Sequence, residues 1–246
     1  QKAIDTYQLS LDQMKNLESV AQYELIEAKK MSLTAIESAT GVADAELAIN
    51  KAELAIAIAP NDKEAQILVN RASKLSQLIT LLAEGRYHSE QNDLESAKAA
   101  YEKAATLDPQ HIAAAAELLI IKKSITEETF RSHMSDGFVA LNKIDFEQAF
   151  AAFNRAGVIY PNHPSVQQAL NQVTAEQSQL LVDQQMIQAD TLAQQEQWQE
   201  ALAIYQRLLL TDNSLTEAKV RKISVSVRAS LDRQITALLD EPLSLT

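Results

Sequence analysis

The sequence predicts an all-α fold, an α-α superhelical repeat of alternating long and short antiparallel helices, and three observations carry that reading. The 246 residues include only 4 Gly and 5 Pro, which leaves little room for hairpins or long loops. Ala, Leu, Gln, Glu and Lys dominate, and each loses little side-chain freedom on a helix surface. The chain also repeats itself at about fifty residues, the mark of stacked supersecondary units that bury a continuous core only together.

The prolines reveal the repeat first. Pro60, Pro109 and Pro161 close the apolar segments AIAP, TLDP and VIYP at spacings of 49 and 52, and a further 52 residues reaches Asn213 in LLTDN. Columns to the left of these stops agree: Ala48, Ala97, Ala149 and Ala201; then Ala52, Tyr101, Phe153 and Tyr205; then Ala55, Ala104, Ala156 and Leu208. A small, large, small series at offsets of four and three is one face of a helix. The small residues admit a neighbouring helix closely, and the ring fills the gap between turns.

Just upstream, DAELA, NDLESA, IDFEQA and QWQEA occupy matching places. Asp44, Asp93 and Asp145 are predicted to cap helix N-termini, where a carboxylate accepts from unpaired backbone N–H groups. The next column is Ala45, Leu94, Phe146 and Trp198, so the single tryptophan is read as turn packing.

These residues resemble the tetratricopeptide repeat, which has a small residue in its first helix, an Asn/Asp turn, Ala and an aromatic in its second helix, and Pro after it. LLAEGRYHSEQNDLESAKAAYEKAATLDP, from Leu81 to Pro109, fits best, and its Gly85 recurs as Gly137 and then as Ala189. MSDGFVALNKIDFEQAFAAFNRAGVIYP fits well, QADTLAQQEQWQEALAIYQRLLLTDN moderately, and the unit from Ala48 to Pro60 weakly. The usual repeat is about 34 residues, so each unit here carries extra helix.

That extra length falls in 61–92, 110–144 and 162–196, each read as one long helix or two meeting at a slight kink, with 1–40 as the first long element. A single elongated domain over 1–240 follows, its units ending near 60, 109, 161 and 213, with a terminal helix over 214–239. The β-branched alternation ISVSV from Ile223 to Val227 weakens the terminal helix. Residues 241–246 read as a tail or severed linker, and the opening QKAIDTYQLS as that of a trimmed or processed segment.

Composition bounds the chemistry. A formal charge of -11 opposes binding to a phosphate backbone, so nucleic acid is excluded as a partner. The absence of cysteine removes disulfides, thiol nucleophiles and cysteine-ligated metals. No apolar run is long enough to span a bilayer. His111 and His163 share one repeat position, His88 and His133 fall on packing positions, and no close-spaced pair offers a metal face. Glu127-Glu128 and Asp240-Glu241 are adjacent pairs, not carboxylates flanking a cleft. Phosphate-cradling glycine loops and a nucleophile elbow are missing. The expectation is a non-enzyme with no metal or cofactor.

The resemblance implies a ligand groove on the face of the first helix of each repeat. Carried across by position, that face comprises Leu82, Arg86 and Glu90, then Arg131, Met134, Phe138 and Leu141, then Asp183, Met186 and Asp190. With Phe130 the middle set makes an apolar stripe, either an exposed groove or a seam packed against the extra helix. Arg86, Arg131, Met134, Phe138, Leu141, Met186 and Asp190 are the candidate partner-binding residues. Co-chaperones of the family clamp a carboxylate with Lys and Asn where this chain has Leu82, Met134 and Met186, so that activity is not implied. Lys219 to Arg228 holds four basic residues and no acidic one, read as a solvated terminal helix, with a face for an acidic partner or lipid surface as the alternative.

The resulting expectation is a scaffold that binds protein or peptide. Its rivals are a homo-oligomerisation module forming a homodimer and a docking region of a larger enzyme. The resemblance to extracytoplasmic segments of membrane-anchored bacterial proteins implies a periplasmic or envelope location, with the cytoplasm as the alternative.

Overall fold

The computed structural model describes residues 2–240, and among these every regular element is a helix. In order they are α1 (Lys2–Ser38), α2 (Val42–Ile58), α3 (Lys63–Ser73), α4 (Leu75–Glu90), α5 (Leu94–Leu107), α6 (Ile112–Asn142), α7 (Phe146–Ile159), α8 (Pro164–Gln194), α9 (Trp198–Thr211) and α10 (Thr216–Asp240). The proposed tail, 241–246, lies outside the described residues. The chain divides into two compact units between Thr129 and Phe130, within α6.

Helices α5, α7 and α9 each have 14 residues and start 52 residues apart, while α6 and α8 each have 31. The 61–92 stretch instead breaks at Lys74 without any Gly or Pro. There the Ser73 hydroxyl donates to the Asn70 carbonyl at 2.8 Å, and the Lys74 N–H turns back to the Arg71 carbonyl. A hydroxyl competing for a helix carbonyl and a tightened three-residue bond together end the helix. ISVSV is helical in spite of its β-branching, because Ala218, Val225 and Ala229 are buried on one face of α10. Tertiary packing overrides the propensity.

The caps follow the sequence with one correction. Asp93 and Asp145 accept from the Ser96 and Gln148 N–H groups at 3.2 and 3.0 Å, as N-caps of α5 and α7. Asp44 does not cap from outside, because α2 begins at Val42. It sits in the first turn and reaches back to the Thr40 and Gly41 N–H groups at 2.9 and 3.1 Å, the reciprocal half of a capping box. Those bonds, the Thr40 N–H foremost, hold its carboxyl below the usual range. His111 and His163 cap α6 and α8, their Nδ1 atoms accepting from Ala114 and Ser165 at 3.3 Å. The turns before α5, α7 and α9 each contain one left-handed residue, Asn92, Ile144 and Glu196, again 52 apart.

In the first unit one cluster joins Ile36, Ala48, Ala52, Leu75, Leu78, Ala97, Tyr101 and Ile121. In the second, Met134, Leu141, Ala149, Phe153 and Val173 form one cluster, and Ala189, Ala201, Tyr205 and Val225 another. The ring column is fully buried, and so are the alanines four residues before it. Each ring sits on a small residue sixteen positions upstream. A Cβ added to Gly85 would lie 2.5 Å from the Tyr101 ring, and one on Gly137 2.4 Å from Phe153. Where the ring position is Ala52, the upstream partner is the buried Ile36.

One buried ion network ties distant parts of the first unit. Arg71 on α3 donates to Asp108 at 2.8 Å and to Glu37 at 2.5 Å, and the second Glu37 oxygen accepts from the Ile112 N–H at 3.0 Å. Burial works against the Arg71 charge, but its bonds to Asp108 and Glu37 prevail and raise its pKa. With both partners present, the network escapes the penalty of an isolated buried charge.

Two substitutions test these packing and turn assignments. Gly137→Ala presses a methyl into the Phe153 ring, and overpacking of this kind costs about 1–3 kcal/mol, which thermal unfolding will show as a lowered midpoint. Ile144→Asn puts a residue that tolerates the left-handed region at an exposed turn, and relief of the roughly 1 kcal/mol penalty on a β-branched residue should raise that midpoint.

Candidate protein-binding surface

The stripe on α6 divides into two by helix geometry. Met134 and Leu141, two turns apart, face inward at 9% and 3% exposure and pack among Ala149 and Phe153. They belong to the core, which corrects the reading of the whole stripe as a groove. Phe130 is half-buried, its ring meeting Tyr160 edge-on at 5.1 Å and His163 at 4.9 Å.

Phe138 remains at the surface with 42% exposure, its ring edge-to-face with Phe153 at 5.0 Å. The same Phe153 ring rests on Gly137, so backbone and core together fix the orientation of Phe138. Arg131, seven residues earlier and thus on the same side of α6, is exposed and forms no ion pair among the described residues. An aromatic ring two helical turns from an unpaired guanidinium on the same side of α6 is a surface able to hold an apolar group and a carboxylate of one ligand segment.

On α8, Met186 is half-buried against the α9–α10 cluster. Asp190 is engaged internally: it accepts from the Tyr205 hydroxyl and pairs with Arg221 of α10, which also pairs with Glu217. Burial, then the nearby Glu217 charge, pushes the Tyr205 hydroxyl pKa up, so it stays a proton donor. Beside this network a pocket of about 370 Å³ is lined by Trp198, Ser224 and Arg228, with the Arg228 guanidinium 4.9 Å above the indole. Trp198 packs its turn, as read from the sequence, and also forms this wall.

In the first unit Arg86 is exposed and lies 4.0 Å from Glu117 of α6. Arg86–Glu117 and Asp190–Arg221 share a spacing of 31 residues and have opposite polarity. Sequence reading missed Glu117 and Arg221, although that 31-residue offset between successive long helices would have found them. At the intermediate position the residue 31 after Phe138 is the buried Ala169, so no charge stands there. Among the described residues no three His, Asp or Glu gather to hold a metal ion, and no helix is long and apolar enough to cross a membrane. No protein-family model matches the chain, and no curated protein matches it.

Two variants separate surface from core on α6. Leu141→Ala removes a buried side chain and should cost about 2–5 kcal/mol in denaturant unfolding. Phe138→Glu should cost only about 1 kcal/mol, the scale of one edge-to-face aromatic contact. Equal losses would mean that Phe138 is a core residue.

Proposed function

We propose that the chain is a non-enzymatic, tetratricopeptide-like repeat scaffold that binds a protein or peptide, with Phe138 and Arg131 on α6 as its primary contact. One observation carries this. At the position filled by ion-paired Arg86 and Asp190 in neighbouring repeats, the middle repeat holds out a large apolar ring. An exposed ring fixed from below by the core is a preorganised anchor, and aromatic and Arg anchors contribute most of the energy in typical protein interfaces. The fitting ligand is a segment with an apolar side chain for Phe138 and an acidic one for Arg131. Met186 and Asp190, at the matching positions of α8, are engaged with α9 and α10, Asp190 through its bonds to Tyr205 and Arg221. Placement in a bacterial envelope rests on the resemblance in helix style alone.

Site-specific cross-linking tests the reading. A photoreactive phenylalanine at position 138, exposed to extract of the source cells, should yield a discrete adduct to one protein that Arg131→Glu weakens. The same probe at Val158, 81% exposed on α7, should yield none. Identical adduct patterns from both positions would remove the basis for the site.

A further inference from the structure

The first and last described helices, α1 and α10, carry apolar faces of opposite electrostatic character. On α1, the face that meets α2 and α3 through Leu25, Ala28 and Ser32 continues toward the N-terminus through Ala21, Leu17, Met14 and Leu11. The helical angles coincide, so this is one seam whose second half is uncovered. Met14, Leu17 and Ala21 are exposed, and Glu18 lies inside the seam between Met14 and Ala21. Over residues 8–24 the charged residues are Asp12, Glu18 and Glu24 against the single Lys15.

On α10, Val220, Ile223, Val227 and Leu231 form an exposed stripe at spacings of three, four and four. It borders a groove of about 770 Å³ between α9 and α10, lined by Leu209, Leu210 and Ile223 with Lys219 and Lys222. Arg221 is committed to Asp190 and Glu217, and Arg228 lies over Trp198. Among the described residues neither Lys222 nor Lys219 makes a salt bridge, and the Lys219 charge only helps to lower the Asp212 pKa after the Ser214 bonds.

We propose that the α9–α10 groove of one copy receives the uncovered α1 seam of a second copy, with Glu18 and Glu24 answering Lys219 and Lys222. A carboxylate inside an otherwise apolar seam disfavours a purely apolar partner and calls for a cation at the same level. The groove supplies that cation beside an apolar floor. Pairing two α10 grooves would bring the lysines together, and pairing two α1 seams would bring the glutamates together. Charge therefore selects pairing of α1 with α10 over either like-with-like pairing.

Sedimentation analysis of the whole chain tests this. The wild type should rise with concentration above the 27.1 kDa of a single chain. Leu17→Glu and Ile223→Glu, both at exposed positions, should each remain monomeric with unchanged helical circular dichroism. Their equimolar mixture should form a dimer and nothing larger, because only one intact α1 and one intact α10 remain to meet. Lys222→Glu should also be monomeric, and adding Glu18→Lys to that chain should restore association. A wild type that stays monomeric, a single variant that associates like the wild type, or a mixture that remains monomeric would each overturn the proposal. Phe138→Glu should leave association unchanged, so this result and that of the cross-linking are independent.

Discussion

Ring against small residue, sixteen positions apart, is the contact on which the arrangement of each helix pair depends. Phe153 occupies the volume that a side chain at position 137 would need, and Tyr101 does the same at position 85. The two helices of such a pair approach at one register only, since sliding either by a turn would set the ring against a larger neighbour. The buried alanines four residues before each ring let the backbones approach, and the left-handed residue in the preceding turn aims the second helix at the first. The first pair reverses the assignment, Ile36 above Ala52, and keeps the volume filled. Shape complementarity is retained while the residue types change places.

The outer surface carries no such restriction. Beside the constrained column, the adjacent position is Arg86, Phe138 and Asp190 in turn, and its counterpart on the following long helix is Glu117, Ala169 and Arg221. The same 31-residue offset holds a positive-to-negative pair, two apolar residues and a negative-to-positive pair. Packing determines where these side chains point, and their chemistry is left free to vary. Function on such a framework belongs to the surface and not to the fold.

This division explains how much was legible in the sequence. The rings at 101, 153 and 205, the alanine columns, the stops and the Asp93 and Asp145 caps all declare themselves by recurrence, and the structure places them as read. Legibility failed where identity and burial part company. Met134 and Leu141 look like their exposed neighbour Phe138 in any list of apolar residues, and they separate only when the roughly 100° between successive residues meets a particular neighbouring helix. For 61–92 the sequence leaves one helix or two open, since Lys74 ends a helix without a breaker: the cause is a hydroxyl bonded to a carbonyl and not a backbone preference. The weak first repeat hid its match because Ile36 and Ala52 exchange large for small, which a search for similar residues cannot detect.

The Arg71 network has a consequence for how the first unit opens. Most bonds in a helical array are local, so helices can fray from their ends with little effect elsewhere. Glu37 instead receives the Ile112 N–H across 75 residues of chain and also holds Arg71, which holds Asp108 at the end of α5. Closing a span of that length is entropically costly and is recovered only once the intervening helices are in place. The amide of Ile112 stands at the first position of α6, where exchange with solvent hydrogen would ordinarily be fast. Its protection should instead follow the cooperative opening of α1 through α5, making this terminal amide a reporter of the integrity of the whole first unit.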